Sequence, residues 1–300
     1  MNNLSLNNSI FLVNPIAGKL SLNNKIKTIK NITEGTGAEI LVSKSIENAI
    51  HIAKESMRKK KIVVACGGDG LQNLVAQQSI ENNGIMAILP FGRGNDFASS
   101  LSINSVNDLI QSFSFPKLIN ARYVKIMFNN HYRISLTCAG VGLLSEAAYR
   151  AEKIPILKGM LLYSVAAILS FIFLKNHKYI VEFDEMTIEE ELLILAGAAS
   201  QYTGGGMHIA PDALKVKEMV NLLYSRKVNR FQAFNLLLGV FSGSHLKHSK
   251  VINIHTARLL VSTQSDSPWA PLVYGDGEYL GDLPVEISLG KKPLRVLVPK

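Results

Sequence analysis

The sequence predicts an α/β domain built on an open parallel sheet, followed by a β-rich domain. Three observations carry this. The first 120 residues alternate short apolar runs with helical patterns. Short strand patterns dominate after Phe115-Pro116. Three glycine-bearing turns lie directly after strands of the first half, where an open α/β sheet gathers its ligands.

The elements follow in order. Ile10 to Val13 reads as a strand ending at Asn14-Pro15-Ile16-Ala17-Gly18, and Asn23 to Thr33 reads as a helix. Glu39 to Val42 is a second strand, and Ser45 to Lys60 a helix with Ser45 as its N-cap. Ile62 to Cys66 is the third strand. Gly67-Gly68-Asp69-Gly70 follows it and precedes a helix over Leu71 to Ile80. Ile85 to Leu89 is the fourth strand, ending at Pro90-Phe91-Gly92-Arg93-Gly94-Asn95-Asp96, with a helix expected from Phe97. The second half reads as strands over Arg122–Phe128, His131–Cys138, Tyr179–Phe183, Leu192–Ala198, Met219–Tyr224, Val251–His255, Arg258–Ser262, Pro284–Ser288 and Leu294–Val298. Helical inserts are expected near Leu144–Glu152, Gly159–Leu174 and Arg230–Phe241. Many short strands separated by turns argue a sandwich or barrel-like domain. The expected domains are 1–120 and 121–300, the last strand being able to return to the first.

Composition narrows the function classes. A 300-residue chain with 47% hydrophobic residues can bury substantial cores, which excludes disorder. Cys66 and Cys138 stand apart in separate apolar segments, so a reducing, cytoplasmic setting is expected. The first residues carry no basic stretch followed by an apolar core, so no signal peptide is expected. Gly159 to Leu174 is the longest apolar run, short for a membrane span. It reads either as a buried helix or as one that touches a bilayer or lines a lipid pocket. The net charge of +9 suits nucleotides or anionic lipid surfaces. Arg58-Lys59-Lys60-Lys61 reads as a solvated helix end. Aromatics are 7% of the chain and do not interleave with basic residues, which disfavours nucleic acid.

Gly67-Gly68-Asp69-Gly70 carries the most information. A strand, a glycine turn and a helix start bring backbone N–H groups to an anion at close range. Asp69 fits there if it holds a cation, caps backbone or orients a reacting group. Gly92, Arg93, Gly94, Asn95 and Asp96 form a candidate second wall of the same nucleotide pocket. Arg93 would pair with phosphate, and Asn95 and Asp96 suit capping the next helix. Asp276-Gly277-Glu278 reads as a hairpin turn; Asp276 could also orient and deprotonate an attacking hydroxyl. Gly204-Gly205-Gly206 reads as a flexible loop or one that admits a close ligand. His245 and His248 lack neighbouring carboxylates or cysteines in the sequence, so no metal site is assigned.

Taken in order, these motifs resemble the diacylglycerol kinase-like lipid kinases, a family that includes bacterial diacylglycerol kinases and the sphingosine and ceramide kinases. The resemblance spans nearly the whole chain. It rests on Asn14-Pro15 with Gly18, Gly67 to Gly70, Pro90 to Ala98, Ala139-Gly140-Val141-Gly142, Tyr202 to Met207 with Pro211-Asp212-Ala213, and Asp276-Gly277-Glu278. It implies an N-terminal domain like that of NAD kinase and phosphofructokinase and a C-terminal β-sandwich. It also implies ATP- and magnesium-dependent transfer of the γ-phosphoryl to a lipid hydroxyl, diacylglycerol-like, at a membrane surface that the protein meets peripherally. ATP would lie between the domains, on residues including Asn14, Pro15, Gly67 to Gly70 and Gly92 to Asp96. Asp276 would be the general base, supported by Glu278.

The chain departs from the family at four places. Leu71 stands where the family usually has Thr, a Leu that the sphingosine kinases share, and Leu74 stands where the family has Glu. Val216-Lys217-Glu218 replaces an Asp-Asp-Gly stretch associated with a structural magnesium, with Lys217 as a candidate substitute charge. Ala199 replaces an Asn. Two alternatives therefore stay open: a catalytically weakened lipid- or nucleotide-binding relative, and an NAD kinase-like enzyme.

Overall fold

The computed structural model describes residues 4–152 and 174–300. Its contacts gather into two compact units, Met1–Ala121 with Lys291–Lys300, and Arg122–Gly290. The apolar run expected as a helix over Gly159–Leu174 lies, apart from Leu174, outside the described residues.

The first unit contains β1 (Ser9–Val13), α1 (Leu22–Thr33), β2 (Glu39–Val42), α2 (Ile46–Arg58), β3 (Ile62–Gly67), α3 (Asp69–Asn82), β4 (Ile85–Pro90), α4 (Asp96–Ser100), α5 (Val106–Ser114) and β5 (Pro116–Ala121). The chain's last strand belongs to the same sheet, which runs β2, β1, β3, β4, last strand, β5. All neighbours are parallel except β5, which is antiparallel to the last strand. Strands β1, β3 and β4 are apolar at nearly every position because both faces of the sheet are covered. Phe11, Val13, Val64, Cys66, Ala87 and Leu89 pack with Ile29 of α1 and Leu109 of α5. Leu12, Val63, Ala65, Met86 and Ile88 are equally buried, and α2 and α3 lie against these strands.

The register sets the stage for a site. Val13 lies beside Cys66, and Cys66 beside Leu89, so the loops after β1, β3 and β4 leave the sheet at one level. The starts of the three other long helices of this unit are closed by side chains. Ser21 caps α1, Ser45 caps α2, and Ser105 with Asp108 forms a capping box on α5. Helix α3 instead follows Gly68, which has no side chain to cap it. Its first turn is Asp69-Gly70-Leu71, two residues earlier than the periodicity predicts. Strand β5 carries no apolar signal because most of it is exposed.

The second unit contains β6 (Val124–Met127), β7 (Tyr132–Ser135), β8 (Cys138–Gly142), α6 (Leu143–Glu152), β9 (His177–Phe183), β10 (Met186–Ala198), β11 (Val220–Arg226), α7 (Arg230–Val240), β12 (Val251–Thr256), β13 (Arg258–Thr263), β14 (Leu272–Gly275), β15 (Glu278–Asp282) and β16 (Val285–Leu289). The returning strand is then β17 (Leu294–Pro299). The pairings in this unit are antiparallel and pivot on β10. The first half of β10 pairs with β9; its second half lies between β8 and β11. Val181, Leu259 and Ile287 from one branch share a core with Val141, Leu195, Leu222 and Val273 from the other, which is sandwich-like packing.

Two expectations are corrected. Strand β10 begins six residues before Leu192, through Glu189-Glu190-Glu191, a run that reads as poor strand. Basic residues of its neighbours compensate: Lys178 pairs with Glu189, Arg226 with Glu190 and Lys227 with Glu191. The segment His131–Cys138, expected as one strand, breaks at Leu136-Thr137. The backbone N–H groups of those two residues turn to the Asp276 carboxylate instead of a ladder.

Candidate active site

Three loops of the first unit interlock through backbone. The Gly67 carbonyl accepts from Phe91 N and Gly92 N at 3.1 and 3.2 Å, and the Cys66 carbonyl accepts from Asn14 N at 3.1 Å. Glycine is required where the chains touch. A Cβ on Gly92 would lie far inside van der Waals distance of Gly68 Cα, and one on Gly18 would collide with the Phe91 carbonyl. A Cβ on Gly94 would stand 2.8 Å from Asp69 Oδ2. Gly18 is also held at a positive φ of 67°, a conformation open to glycine at little cost.

Side chains then lock the loops. Asp69 Oδ2 accepts from Asn95 N at 2.9 Å, so the acid inside the glycine turn ties the third loop to the second. Asn95 was expected to cap the following helix. It sits instead at the N-cap with φ 55° and makes no side-chain cap. Its Oδ1 accepts from Gly92 N at 3.1 Å and Gln72 Nε2 at 3.3 Å, and its Nδ2 donates to the Gly92 carbonyl at 3.1 Å. A non-glycine left-handed residue persists only where surroundings determine it; this side-chain clasp supplies that. Helix α4 starts at Asp96, which is buried, while Arg93 is exposed.

The first loop has an anchor that the motifs do not reveal. Lys25 is fully buried, and its Nζ donates to the Asn14 and Pro15 carbonyls at 3.0 Å each. Burial lowers its pKa. Asn14 also accepts from Ile16 N through Oδ1 at 3.1 Å. The signal for Lys25 was its position: it falls in line with Leu22, Ile26 and Ile29 on the apolar face of α1. Gln72 was equally silent, a buried amide on a helix buried on most sides.

The second unit brings together the other candidates. Asp276 (φ 52°) and Gly277 (φ 80°) form the two-residue turn of the β14–β15 hairpin, the geometry that favours Asp-Gly. The Asp276 carboxylate accepts from Leu136 N at 2.6 Å, Thr137 N at 3.0 Å and Thr137 Oγ1 at 2.7 Å, and the Ser135 hydroxyl, 2.8 Å away, shares its one proton between this carboxylate and the Cys138 carbonyl at 2.7 Å. A threonine hydroxyl has one proton, and that of Thr137 goes to Asp276. Thr203 therefore donates to Thr137 across 3.0 Å. Thr203 opens the triple-glycine loop, which is closed by reciprocal backbone bonds between Thr203 and Met207 at 3.1 Å. Gly204, Gly205 and Gly206 all have positive φ. The loop is thus a defined turn wired to Asp276. Glu278 begins β15 and is exposed.

Around Asp212 the charge pattern differs from the one expected. Lys215, not Lys217, meets the Asp212 carboxylate, at 2.8 Å, and Asn253 Nδ2 donates to it at 3.0 Å. Arg122 donates to the Ala213 and Met219 carbonyls at 2.7 and 2.6 Å, so the 213–219 loop is held by an arginine. His245 is buried with Nε2 2.9 Å from the Ile209 carbonyl, and His248 Nδ1 accepts from Lys250 N. Among the described residues no three His, Cys, Asp or Glu side chains gather as metal ligands, and no helix is long and apolar enough to cross a membrane.

Comparison with known proteins bears on this arrangement. Residues 8–127 match the diacylglycerol kinase catalytic domain, and residues 137–298 match the YegS C-terminal NAD kinase beta sandwich-like domain. A diacylglycerol kinase of Bacillus subtilis is 26% identical over 298 residues, covering 96% of this chain and 95% of its own. A probable YegS-like lipid kinase of Alcanivorax borkumensis is 25% identical over 184 residues, covering 60% of this chain and 57% of its own. The crystal structure of a diacylglycerol kinase from Bacillus anthracis superposes with a TM-score of 0.71 at 16% identity, with 97% of each chain covered; a second structure from that organism reaches 0.76 at 19% identity with the same coverage. At these structural identities the likeness establishes the fold, while the two family models together span both units. The chain belongs to the diacylglycerol kinase-like lipid kinase family.

Proposed function

We propose that this protein transfers the γ-phosphoryl group of ATP to a lipid hydroxyl, with a diacylglycerol-like acceptor. The observation that carries the reading is the start of α3. It is the one long helix of the first unit's site that opens without a side-chain cap, inside three loops locked at backbone distance. The leading N–H groups of a helix favour an anion there. Asn14 and Pro15 shape the first loop, Gly67 to Gly70 the second, and Gly92 to Asp96 the third. Arg93, exposed on the third loop, supplies a guanidinium for phosphate.

In this reading Asp276 accepts the proton of the lipid hydroxyl as it attacks. The donors at 135–137 fix the orientation of its carboxylate, and orientation is what a general base needs first. Glu278 supports it from the same hairpin. Magnesium commonly binds through one or two carboxylates plus substrate phosphates, so it suits a site without an all-protein cage. When bound with ATP it neutralises phosphate charge. The protein works in the cytoplasm and meets the membrane peripherally.

The test is transfer of label from ATP to diacylglycerol, monoacylglycerol, phosphatidylglycerol, ceramide and sphingosine in mixed micelles, with NAD as a soluble acceptor. Labelled phosphorylated diacylglycerol from wild type, and none from Asp276→Ala, is expected. Label on NAD alone would move the protein to another class. A second reading, a weakened relative, is favoured by Leu71. It is buried against Gly67 and offers no hydroxyl to phosphate, a contact worth roughly 1.5–3 kcal/mol to a charged group. ATP binding by calorimetry without turnover on any lipid would support that reading.

A further inference from the structure

We propose that the outer face of α7 is the surface that lies on an anionic lipid bilayer. Helix α7 is apolar on two sides. Ala233 and Leu236 pack inward with Leu193 and Val228. Phe231, Leu238 and Phe241 point the other way, with 74%, 59% and 60% of their surface exposed. Phe234 falls in the same row and is also exposed. The spacing of 231, 234, 238 and 241 is the i, i+3, i+7 rhythm of one helical face. Three to four large side chains in one row exceed the scattered exposed residue that needs no explanation.

The charge around this face identifies the occupant. No Asp or Glu occurs between Glu218 and Asp266, whereas Arg226, Lys227, Arg230, Lys247, Lys250 and Arg258 do. Arg226 and Lys227 are spent on Glu190 and Glu191. Arg230, Lys247 and Lys250 make no ion pair among the described residues. Lys247 stands in a 3-10 turn, Ser244–Lys247, that packs on α7. Gly239 permits that approach, since a Cβ there would stand 2.8 Å from His245 N. The helix and the turn thus carry an apolar row and basic residues, with no acidic residue of their own. That is the chemistry of an interfacial helix on anionic lipid, aromatic and leucine side chains entering the headgroup boundary and basic ones meeting phosphate. A protein partner would need both acidic groups and a shape to match the row; a fluid anionic bilayer supplies the negative charge in its phosphates and needs no matching shape.

The proposal deepens the lipid-kinase reading, from which it takes the bilayer as the place of work. Its test is kept separate from turnover. Cosedimentation is measured without ATP, on phosphatidylglycerol–phosphatidylcholine vesicles and on pure phosphatidylcholine vesicles. Wild type is expected on the anionic vesicles. The combined variant Phe231→Gln, Leu238→Gln, Phe241→Gln should bind them about tenfold more weakly or worse, given the apolar area lost. Arg230→Glu with Lys247→Glu should lose the preference for anionic lipid, at about fivefold per charge, while keeping its thermal midpoint. The apolar variant should still phosphorylate a short-chain, monomeric diacylglycerol that wild type phosphorylates. Vesicle binding unchanged in both variants would overturn the proposal. So would a wild-type dimer in gel filtration that the apolar variant dissolves, because the face would then meet a second copy. Vesicle binding without any kinase activity would defeat the lipid-kinase reading and leave the docking face standing.

Discussion

The two units fix their candidate site loops with charges of opposite sign. In the first, a buried ammonium, Lys25, draws in the carbonyls of Asn14 and Pro15. In the second, a carboxylate, Asp276, draws in the N–H groups of Leu136 and Thr137. A loop that receives phosphate must keep carbonyl oxygens away from the anion, and a lysine behind the loop does that. A loop that presents a base must hold the base still, and a ring of donors does that. In the proposed reading, the sign of each anchor matches what its loop would face. The glycines differ in the same way. Gly68 and Gly92 are needed for space, whereas Gly205 and Gly206, with nothing within 4 Å of an added Cβ, are needed for their positive φ.

This contrast can be broken by substitution. Gly92→Ala carries the largest expected cost, because the new methyl meets the Gly68 backbone, which cannot rotate away. Overpacking of this kind costs about 1–3 kcal/mol or more, and ATP affinity measured by calorimetry should fall at least about tenfold. Lys25→Met comes next. It leaves two half-buried carbonyls without their donor, at about 1–3 kcal/mol together, so the thermal midpoint should drop and ATP affinity with it. Gly205→Ala meets open space and bears only the strain of a left-handed residue, about 1–2 kcal/mol. Its thermal midpoint should fall modestly, and ATP affinity should not change.

The smallest effect concerns pH. Burial lowers the pKa of His245 and of His177 below 6.5. Between the lowered folded value and 6.5, the unfolded chain binds protons that the folded chain does not. Stability should therefore be lost as pH falls through that window. Denaturant midpoints below pH 6.5 should drop less in His245→Gln than in wild type. The first unit's ATP affinity should be indifferent to that substitution, which separates the two regions once more.

Much of the first unit was legible in the sequence, because β1, β3 and β4 are buried on both faces and read as unbroken apolar runs. The glycine loops were legible for the same reason: each follows such a run. Lys25 and Gln72 were not: Lys25 shares the helical rhythm of Leu22, Ile26 and Ile29, but a lysine in that row reads as a polar interruption, and Gln72 lies on a helix buried on most sides. In the second unit the break at Leu136-Thr137 was hidden because its cause, Asp276, lies 140 residues away. Strand β10 was read short because the partners of its three glutamates stand on, or directly after, other strands.

The most direct measurement compares Asp276→Asn with Gly92→Ala in both ATP calorimetry and lipid phosphorylation. Asp276→Asn should bind ATP within about twofold of wild type, while turnover falls about 100- to 10,000-fold. Gly92→Ala should lose ATP binding itself. If Asp276→Asn kept wild-type turnover, or if Gly92→Ala bound ATP as wild type does, the assignment of phosphate to the first unit's loops and of the base to the second unit's hairpin would be wrong.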